Sequence, residues 1–434
     1  MKRFSKLLIL SAVLLFPVLQ ISGQTSQKEI FNNIRQTAGV YCNYPVPVNP
    51  VYTTPPAGYV PFYISHYGRH GSRWLCSAED YTESLRIFRE ASENNALTSK
   101  GEDVYYRLKK IAENARGRAG DLSPLGVKQH RGISERMFES FPEVFAGRKR
   151  IDCRSTQVPR CILSMCAFSE RLKELNPQLE ITRVATRRDD YMLDTYDTPA
   201  EVKYRSNKKS EEKKGYDSLK KKYSDASRFT NMLFKKDGFT DTLNMPSLMR
   251  RMWRVASIMQ DVDINISLYD IFTKEELFRL WQIQNTSHYL FNGPASGNSV
   301  ILSSSIPLLR NILDSADMVI NGKLDLAASL KFGHDVYLMP LAGLLNLKNC
   351  DAEESDPYKI YTKWANFQIS PMAGNIQMIF FRKKGSDDIL VKFMLNEREV
   401  AVKGLKSEIK PYYHWKDVKE YYANRIKTIC EEQM

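Results

Sequence analysis

Phe62-Tyr63-Ile64-Ser65-His66-Tyr67-Gly68-Arg69-His70-Gly71-Ser72-Arg73 is the stretch of sequence that decides the fold of this chain. Its first part, from Phe62 to His66, is short and mostly apolar, which predicts a buried β-strand. The strand runs straight into Arg69-His70-Gly71-Ser72-Arg73, and loops that follow strands present the ligand sites of α/β folds. The stretch therefore predicts a strand that delivers one histidine and two arginines to a site.

The residue types of this loop suit a phosphoryl group. Each guanidinium fork of Arg69 and Arg73 matches phosphate oxygens, and Gly71 allows close backbone approach to an anion. An imidazole can attack phosphorus when one ring nitrogen is unprotonated, and the arginines disfavour the imidazolium form of His70. The alternative interpretation is a surface loop with chance arginines. His66, earlier on the strand, is expected to be a packed core histidine.

Two further segments carry residues for the same chemistry. His334-Asp335 precedes an apolar helical pattern, so His334 could donate to a phosphate bound at a helix start. Asp335 could protonate a leaving alkoxide if its pKa is raised, or it could simply cap the helix. Arg160 falls in the first turn of a helix that Thr156 is expected to cap. The helix dipole does not favour a cation there, so another partner is expected to hold Arg160.

The first residues of the chain have the pattern of an export signal. Three basic residues precede the apolar run 7–18, which predicts a signal peptide over residues 1–23 and an exported protein, periplasmic or secreted. The alternative is that the segment is not cleaved and remains as an N-terminal membrane anchor. If it is cleaved, no stable membrane insertion is expected. Residues 24–54, rich in proline towards their end, are predicted to be an extended lead-in.

Charge and cysteine content narrow the partners. The chain of 434 residues has a formal net charge of +13, which favours nucleic acid, an anionic membrane or a multiply phosphorylated substrate. No nucleic-acid-binding signature is visible, and export argues against DNA. A lysine-rich run from about 201 to 236 predicts a solvated helical insertion or a polyanion-facing surface. The seven cysteines have no zinc-ligand spacing, so no metal site is expected.

Five segments together resemble the histidine acid phosphatases, branch 2 of the histidine phosphatase superfamily, and particularly the multiple inositol polyphosphate phosphatase-like members. Tyr63 to Arg73 is similar to the family's nucleophile segment and Phe332-Gly333-His334-Asp335 to its acid segment. The other three segments are Leu122-Ser123-Pro124-Leu125-Gly126 with Gln129, Arg154-Ser155-Thr156 followed by Val158-Pro159-Arg160-Cys161, and Leu390 to Arg398.

The resemblance implies a fold and a set of roles. The fold would be α/β, a phosphoglycerate mutase-like mixed sheet flanked by helices, with core parts over 55–185 and 291–434 and a mainly helical insert over 186–290. His70 would form a phosphohistidine, and Asp335 would donate a proton to the leaving group. The phosphate would be held by Arg69, Arg73, Arg160 and His334, although Arg154 could replace Arg160. No metal or other cofactor would be required.

Two departures from the family leave the substrate open. Trp74-Leu75 stands where the family often has proline, and His334-Asp335 stands where many inositol polyphosphate members carry His-Ala-Glu. The resemblance implies a small phosphorylated substrate, such as an inositol polyphosphate (phytate-like) or 2,3-bisphosphoglycerate. A broad-specificity acid phosphatase is the first alternative. A non-catalytic polyanion-binding protein is the second.

Overall fold

The computed structural model describes residues 26–48, 50–193, 199–206, 210–294 and 299–432. The predicted signal peptide over 1–23 lies outside these residues, as do Lys208 and Lys209 of the lysine-rich run. In the described part of the chain, no helix is both long enough and apolar enough to cross a membrane.

One mixed sheet forms the centre of the molecule. Its strands in spatial order are β3-β2-β4-β1-β5-β6-β7, and β8 pairs with β6. The first four of that order run parallel, whereas β5 is antiparallel to β1 and the remaining pairs are antiparallel. The strands are β1 Tyr59–Arg69, β2 Arg150–Ser155, β3 Glu180–Val184, β4 Ala328–Gly333, β5 Asn375–Lys383, β6 Ile389–Leu395, β7 Arg398–Glu399 and β8 Tyr412–His414. The predicted α/β fold class, a mixed sheet flanked by helices, is confirmed.

Helices make up most of the remaining described structure. Those of the first half are α1 Ser26–Asn32, α2 Glu79–Glu93, α3 Ser99–Ala115, α4 Pro124–Ser140, α5 Pro142–Phe145, α6 Pro159–Leu175, α7 Asp190–Leu193, α8 Pro199–Ser206 and α9 Glu211–Tyr223. Those of the second half are α10 Ser227–Leu233, α11 Met245–Ile258, α12 Lys274–Asn292, α13 Ser299–Ser303, α14 Ile306–Ile320, α15 Asp335–Leu344, α16 Asn366–Ile369 and α17 Trp415–Glu431.

The prediction of an extended lead-in is wrong for its first part. Helix α1 and a 3-10 segment, Ile34–Tyr41, occupy this region, and the Asn33 side chain between them accepts a hydrogen bond from the Arg35 amide. Ile30 and Ala38 are fully buried. The prolines that suggested an extended chain begin only at Pro45, and burial of apolar side chains before them stabilises helix instead.

The predicted cap of α6 is also wrong. The N-cap residue is Val158, without a side-chain cap, because Pro159 occupies the first helical position. Arg160 still lies in the first turn. Thr156 is buried, and its hydroxyl oxygen lies 3.4 Å from Nε2 of His334. The hydroxyl therefore serves the acid segment rather than the helix.

Apolar side chains form three clusters. Two of them cover the two faces of the sheet. The third lies within a layer of helices and joins α2 and α3 to α9, α10, α11 and α12. Helices α2 and α3, which the sequence assigned to the first core part, thus pack with the predicted insert. The buried stripes of these helices face other helices, and a stripe alone does not show which element it will meet.

Candidate active site

Parallel pairing brings the three site segments to one edge of the sheet. Arg69 at the end of β1 pairs with Gly333 at the end of β4, and Phe332 pairs with Ser155 at the end of β2. The His70 amide donates to the Gly333 carbonyl at 2.9 Å. Because parallel strands end at the same edge, residues far apart in sequence meet there. The loop after β1, the start of α6 and the start of α15 form this edge.

His70 is held in the form that a nucleophile needs. The side chain is buried, and its Nδ1 lies 2.9 Å from the carbonyl oxygen of Gly71. Since a carbonyl oxygen only accepts, Nδ1 carries the proton and Nε2 keeps its lone pair. Burial lowers the pKa of His70 well below its ordinary value, and the charges of Arg69, Arg73, His334 and Arg160 lower it further.

Arg69 is fully buried and fixed on three sides. Its Nη1 donates to the carbonyls of Val40 at 2.5 Å and Ser370 at 2.8 Å, and its Nη2 lies 2.8 Å from the Asp335 carboxylate. A guanidinium held in this way cannot change its position when a ligand binds, so the site has a positive charge fixed in place beforehand.

Arg73 and Arg160 each keep an unused donor. Arg73 Nη1 donates to the Trp74 carbonyl at 2.8 Å, but Nε of Arg73 and Nε of Arg160 are buried without a hydrogen-bond partner among the described residues. Buried donors of this kind are usually satisfied, and a bound anion is one way to satisfy them. Their charges already act on the pKa of His70, so both lie close to that ring.

Arg154 lies apart from this cluster. Its guanidinium donates to Asp152 at 2.7 Å and to Asp189 at 2.9 Å, and these two carboxylates compensate its charge. The backbone of Arg160 is instead tied to the loop that follows β1, His70 to Arg73, which by the family resemblance is called the nucleophile loop. The Ser164 hydroxyl accepts from the Gly71 amide at 3.1 Å and donates to the Arg160 carbonyl at 2.7 Å. Of these two arginines, Arg160 is the one whose charge acts on the His70 ring.

His334 and Asp335 lie beside His70 and Arg69. The rings of His70 and His334 have their centroids 5.6 Å apart, in an edge-to-face arrangement. Burial raises the pKa of Asp335, but Arg69, His288, Arg73 and His334 together hold it well below its ordinary value. The sequence interpretation required a raised pKa, so the free site differs from that expectation. The cause is the surplus of positive charge, which a phosphate would offset.

A second layer of buried polar groups fixes the nucleophile loop. The Ser72 amide and hydroxyl contact the Gln129 amide group at 2.8 Å each, and the Ser72 hydroxyl donates to Asp261 at 2.5 Å. Asp261 is fully buried, and burial raises its pKa to about 8. The close approach that requires Gly71 is to α4, because a Cβ atom on Gly71 would lie 2.6 Å from Gly126 Cα.

Sequence reasoning missed three residues of this site, Ser164, Asp261 and His288. Ser164 lies one helical turn after Arg160 on the same face of α6, and that spacing could have indicated it. Asp261 follows the end of α11 without any motif. His288 had a weak signal, since the chain has only six histidines and two others, His70 and His334, are in the site motifs.

The fold matches solved phosphatases and phytases. The multiple inositol polyphosphate phosphatase of Bifidobacterium longum, in complex with inositol hexasulfate, has a TM-score of 0.76 at 17% identity, over 89% of this chain and 97% of that one. The phytase of D. castellii has a TM-score of 0.68 at 16% identity, over 91% and 85%. The Hafnia alvei phytase has a TM-score of 0.54 at 12% identity, over 87% and 99%. At such identities the likeness shows the fold.

Sequence comparison gives the family. No curated protein sequence matches this chain significantly. The model of the histidine phosphatase superfamily, branch 2, matches residues 68–396, which contain the nucleophile loop, the start of α6 and the acid segment. This match spans most of the chain and ends one residue after β6, so it includes β2 to β6 and the helices between them. The chain therefore belongs to branch 2 of the histidine phosphatase superfamily.

Proposed function

We propose that the protein hydrolyses phosphomonoesters through a phosphohistidine intermediate at His70. The observation that carries this proposal is the state of the His70 ring. Its Nδ1 is held by the Gly71 carbonyl, its pKa is well below the ordinary value, and cationic side chains surround it. A neutral imidazole nitrogen inside a cationic site has both the lone pair and the electrostatic surroundings for attack on an anionic phosphorus.

The other residues take roles in the two steps of this reaction. His70 Nε2 forms a bond to phosphorus while the ester P–O bond breaks, and Asp335 gives its proton to the leaving alkoxide. Water then attacks the phosphohistidine, with Asp335 accepting the proton of that water. Arg69, Arg73, Arg160 and His334 offset charge on the three equatorial oxygens, where phosphoryl transfer gains most from electrostatics.

Asp335 has a lowered pKa in the free site, but it can still act as an acid because the negative charge of the substrate raises that pKa. A phosphate dianion beside Arg69 and Arg73 cancels much of the positive charge that ionises Asp335. The carboxyl pKa therefore rises on binding, and the desolvation that burial already imposes on Asp335 then favours the protonated acid. Substrate binding thus prepares the proton donor.

For the substrate we propose inositol polyphosphates or related multiply anionic phosphates such as 2,3-bisphosphoglycerate. Support comes from the inositol polyphosphate phosphatase neighbour. A cation of the helical layer also lies near the cleft, which is the region between helices α11 and α12 and the sheet edge that carries His70. The charges of both Arg73 and Arg254 of α11 lower the pKa of the Tyr41 phenol against the effect of its burial, so both arginines lie near that phenol, and Arg254 is also paired with Asp80. Lys221 and Lys222 near the end of α9 are exposed and add to the positive charge of the helical layer.

A substrate panel tests both levels of the proposal. Purified protein is assayed for phosphate release from inositol hexakisphosphate, 2,3-bisphosphoglycerate and simple phosphomonoesters, beside the His70→Ala variant. The proposal expects turnover by the unmodified protein, the highest kcat/KM on the polyanionic substrates and no turnover by His70→Ala. Far better hydrolysis of simple esters would support the broad-specificity acid phosphatase. Tight binding of inositol hexakisphosphate with no turnover of any ester would support a non-catalytic polyanion-binding protein.

Export is part of the same proposal and has its own test. The N-terminal pattern over residues 1–23 supports a cleaved signal peptide. Fractionation of expressing cells, followed by N-terminal sequencing of the exported protein, is expected to find a mature chain that begins near residue 24. Full-length protein in the cytoplasm would contradict it.

A further inference from the structure

His288 lies in α12, which packs against α15, the helix that begins at Asp335 of the acid segment. Gln284, His288 and Asn292 are each four residues apart, so they share one face of α12. Gln284 accepts from the Val40 amide at 3.3 Å, and the Val40 carbonyl accepts from Arg69. Asn292, at the other end, donates to the Val336 carbonyl at 3.5 Å, beside Asp335. His288 is therefore midway between the Arg69 clamp and the start of α15.

A chain of hydrogen bonds fixes the tautomer of His288. The indole N–H of Trp281, which can only donate, contacts Oδ1 of Asn366 at 3.0 Å. This contact fixes the orientation of the Asn366 amide, whose Nδ2 then donates to Nδ1 of His288 at 3.0 Å. A nitrogen that accepts this bond carries no proton, so the proton of the neutral ring is on Nε2.

The Nε2–H of His288 is an available donor. It contacts no hydrogen-bond partner in the part of the chain that the structure describes, and the ring is partly exposed. The charged groups that act on it are Asp335 of α15 and Arg69 of β1; its contacts within the helical layer are uncharged amides. Burial lowers the pKa of His288 to about 4, so the ring stays neutral at ordinary pH.

We propose that His288 is a specificity-determining residue whose Nε2–H donates a hydrogen bond to a substrate oxygen beside the reacting phosphoryl group. Such an oxygen would be a hydroxyl or phosphate oxygen on the carbon next to the ester carbon, as in a polyol phosphate. The inference rests on the proposed phosphatase function. Its physical basis is that Asp335 and Arg69 mark the place of the leaving group, and the neighbours of His288 on the same face of α12 contact the Arg69 clamp and the start of α15. An aryl phosphate has no acceptor at that position.

Substitution of His288 tests the contact by comparing two substrates. His288→Phe keeps a ring of similar size and removes the donor, while His414→Phe, on β8 far from the cleft, is the matched control. We expect His288→Phe to lower kcat/KM for inositol hexakisphosphate about tenfold, the effect of one lost hydrogen bond, with less than about a twofold change for p-nitrophenyl phosphate. His414→Phe should leave both values unchanged. Equal losses on both substrates, or no loss on either, would overturn the inference.

Substitution of Asn366 tests the tautomer. Asn366→Asp keeps an acceptor for Trp281 but places a second carboxylate oxygen against Nδ1 of His288, which then must carry a proton. The imidazolium is favoured by this carboxylate, so kcat/KM for inositol hexakisphosphate should gain a new ionisation that is absent from the unmodified protein. The Asn366→Asp/His288→Phe double variant should lose that ionisation. A pH profile identical in the three proteins would contradict the assigned donor.

Two controls keep the outcomes distinct. If thermal melting shows that His288→Phe does not fold, His288→Ser replaces it, because a small polar residue leaves the partly exposed position open to water. If the unmodified protein hydrolyses no phosphomonoester, the proposed function fails and this inference fails with it. If the unmodified protein is active and the His288 variants retain its substrate preference, only the inference about His288 fails.

Discussion

The two sides of the cleft are built in different ways. On the sheet side, His70 directly follows β1 and Asp335 comes two residues after the end of β4, and backbone pairing between β1 and β4 fixes their relative position. On the helical side, Asp261 and His288 come from separate helical segments and are positioned by side-chain packing. The comparison shows that reacting groups are set by strand register. The carboxyl group that supports the loop, Asp261, and the proposed substrate contact, His288, depend on tertiary packing of the helices.

Asp335→Asn, on the sheet side, is expected to lower kcat more than any other change to a group that transfers a proton. Asp335→Asn removes the proton donor, so kcat for an alkyl phosphate should fall by about 10²–10⁴. An ester with a good leaving group, p-nitrophenyl phosphate, needs no proton at this step, and its phosphoryl transfer to His70 should be much less affected. Pre-steady-state release of p-nitrophenol measures that step. An equal loss in this burst rate and on alkyl esters would contradict the assignment of Asp335 as acid.

Arg160 and Arg154 provide a matched pair on the same side. Arg160→Gln removes a cation from the phosphate site and should lower kcat/KM about 10²-fold, comparable with the loss of one donor to a transition-state oxygen. Arg154→Gln should leave kcat/KM unchanged and lower only stability, because Asp189 is then buried without its partner. Steady-state kinetics and thermal melting of both variants check this. The reverse pattern would make Arg154 the third arginine.

The pH dependence of the nucleophile should show its surroundings. For an ordinary histidine with a pKa of about 6.5, the unprotonated fraction falls about tenfold between about pH 7.5 and about pH 5.5. The pKa of His70 is held well below this value by burial and the arginines, so kcat/KM for p-nitrophenyl phosphate should stay nearly constant over that interval. Arg160→Gln should move the acid limb to higher pH. An acid limb near pH 6.5 in the unmodified protein would be inconsistent with a preformed cationic site.

The smallest expected effect is on the helical side, at Asp261. The folded pKa of this carboxyl, about 8, exceeds its ordinary 3.8, so the folded chain retains a proton that the unfolded chain releases. Stability is therefore expected to fall as the pH rises from about 4 to about 8. Asp261→Asn should remove this loss and increase the free energy of unfolding at alkaline pH by about 1–3 kcal/mol, without a gain near pH 4.

Thermal melting across this pH range provides the measurement for Asp261. The exposed Asp387→Asn variant is the control for the removal of a carboxylate from the surface. A destabilised Asp261→Asn at every pH would mean that the carboxylate form is needed. The comparison between the two sides would then change, because the helical side would contribute a charge to the nucleophile loop.

What the sequence could predict follows the same division. The loop after β1 and the acid segment are contiguous motifs that follow buried strands. Their position after strand ends indicates the edge of the sheet where the site lies, and their residue types indicate the chemistry. The helical contacts of Asp261 and His288 depend on packing between helices that are distant in sequence. For the same reason the sequence placed α2 and α3 with the sheet. The extended lead-in was predicted from proline content, although the buried Ile30 and Ala38 stabilise helical structure there.

The most direct test of the central claim is to trap the phosphorylated enzyme. Asp335→Asn is mixed with p-nitrophenyl phosphate labelled in its phosphoryl group, quenched within the first turnover, and digested for peptide mapping. The account predicts one phosphate per chain, labile to acid and stable to alkali, on the peptide that contains His70, and none in the Asp335→Asn/His70→Ala double variant. Label on another residue, or burst release of phosphate without any labelled chain, would contradict a phosphohistidine at His70.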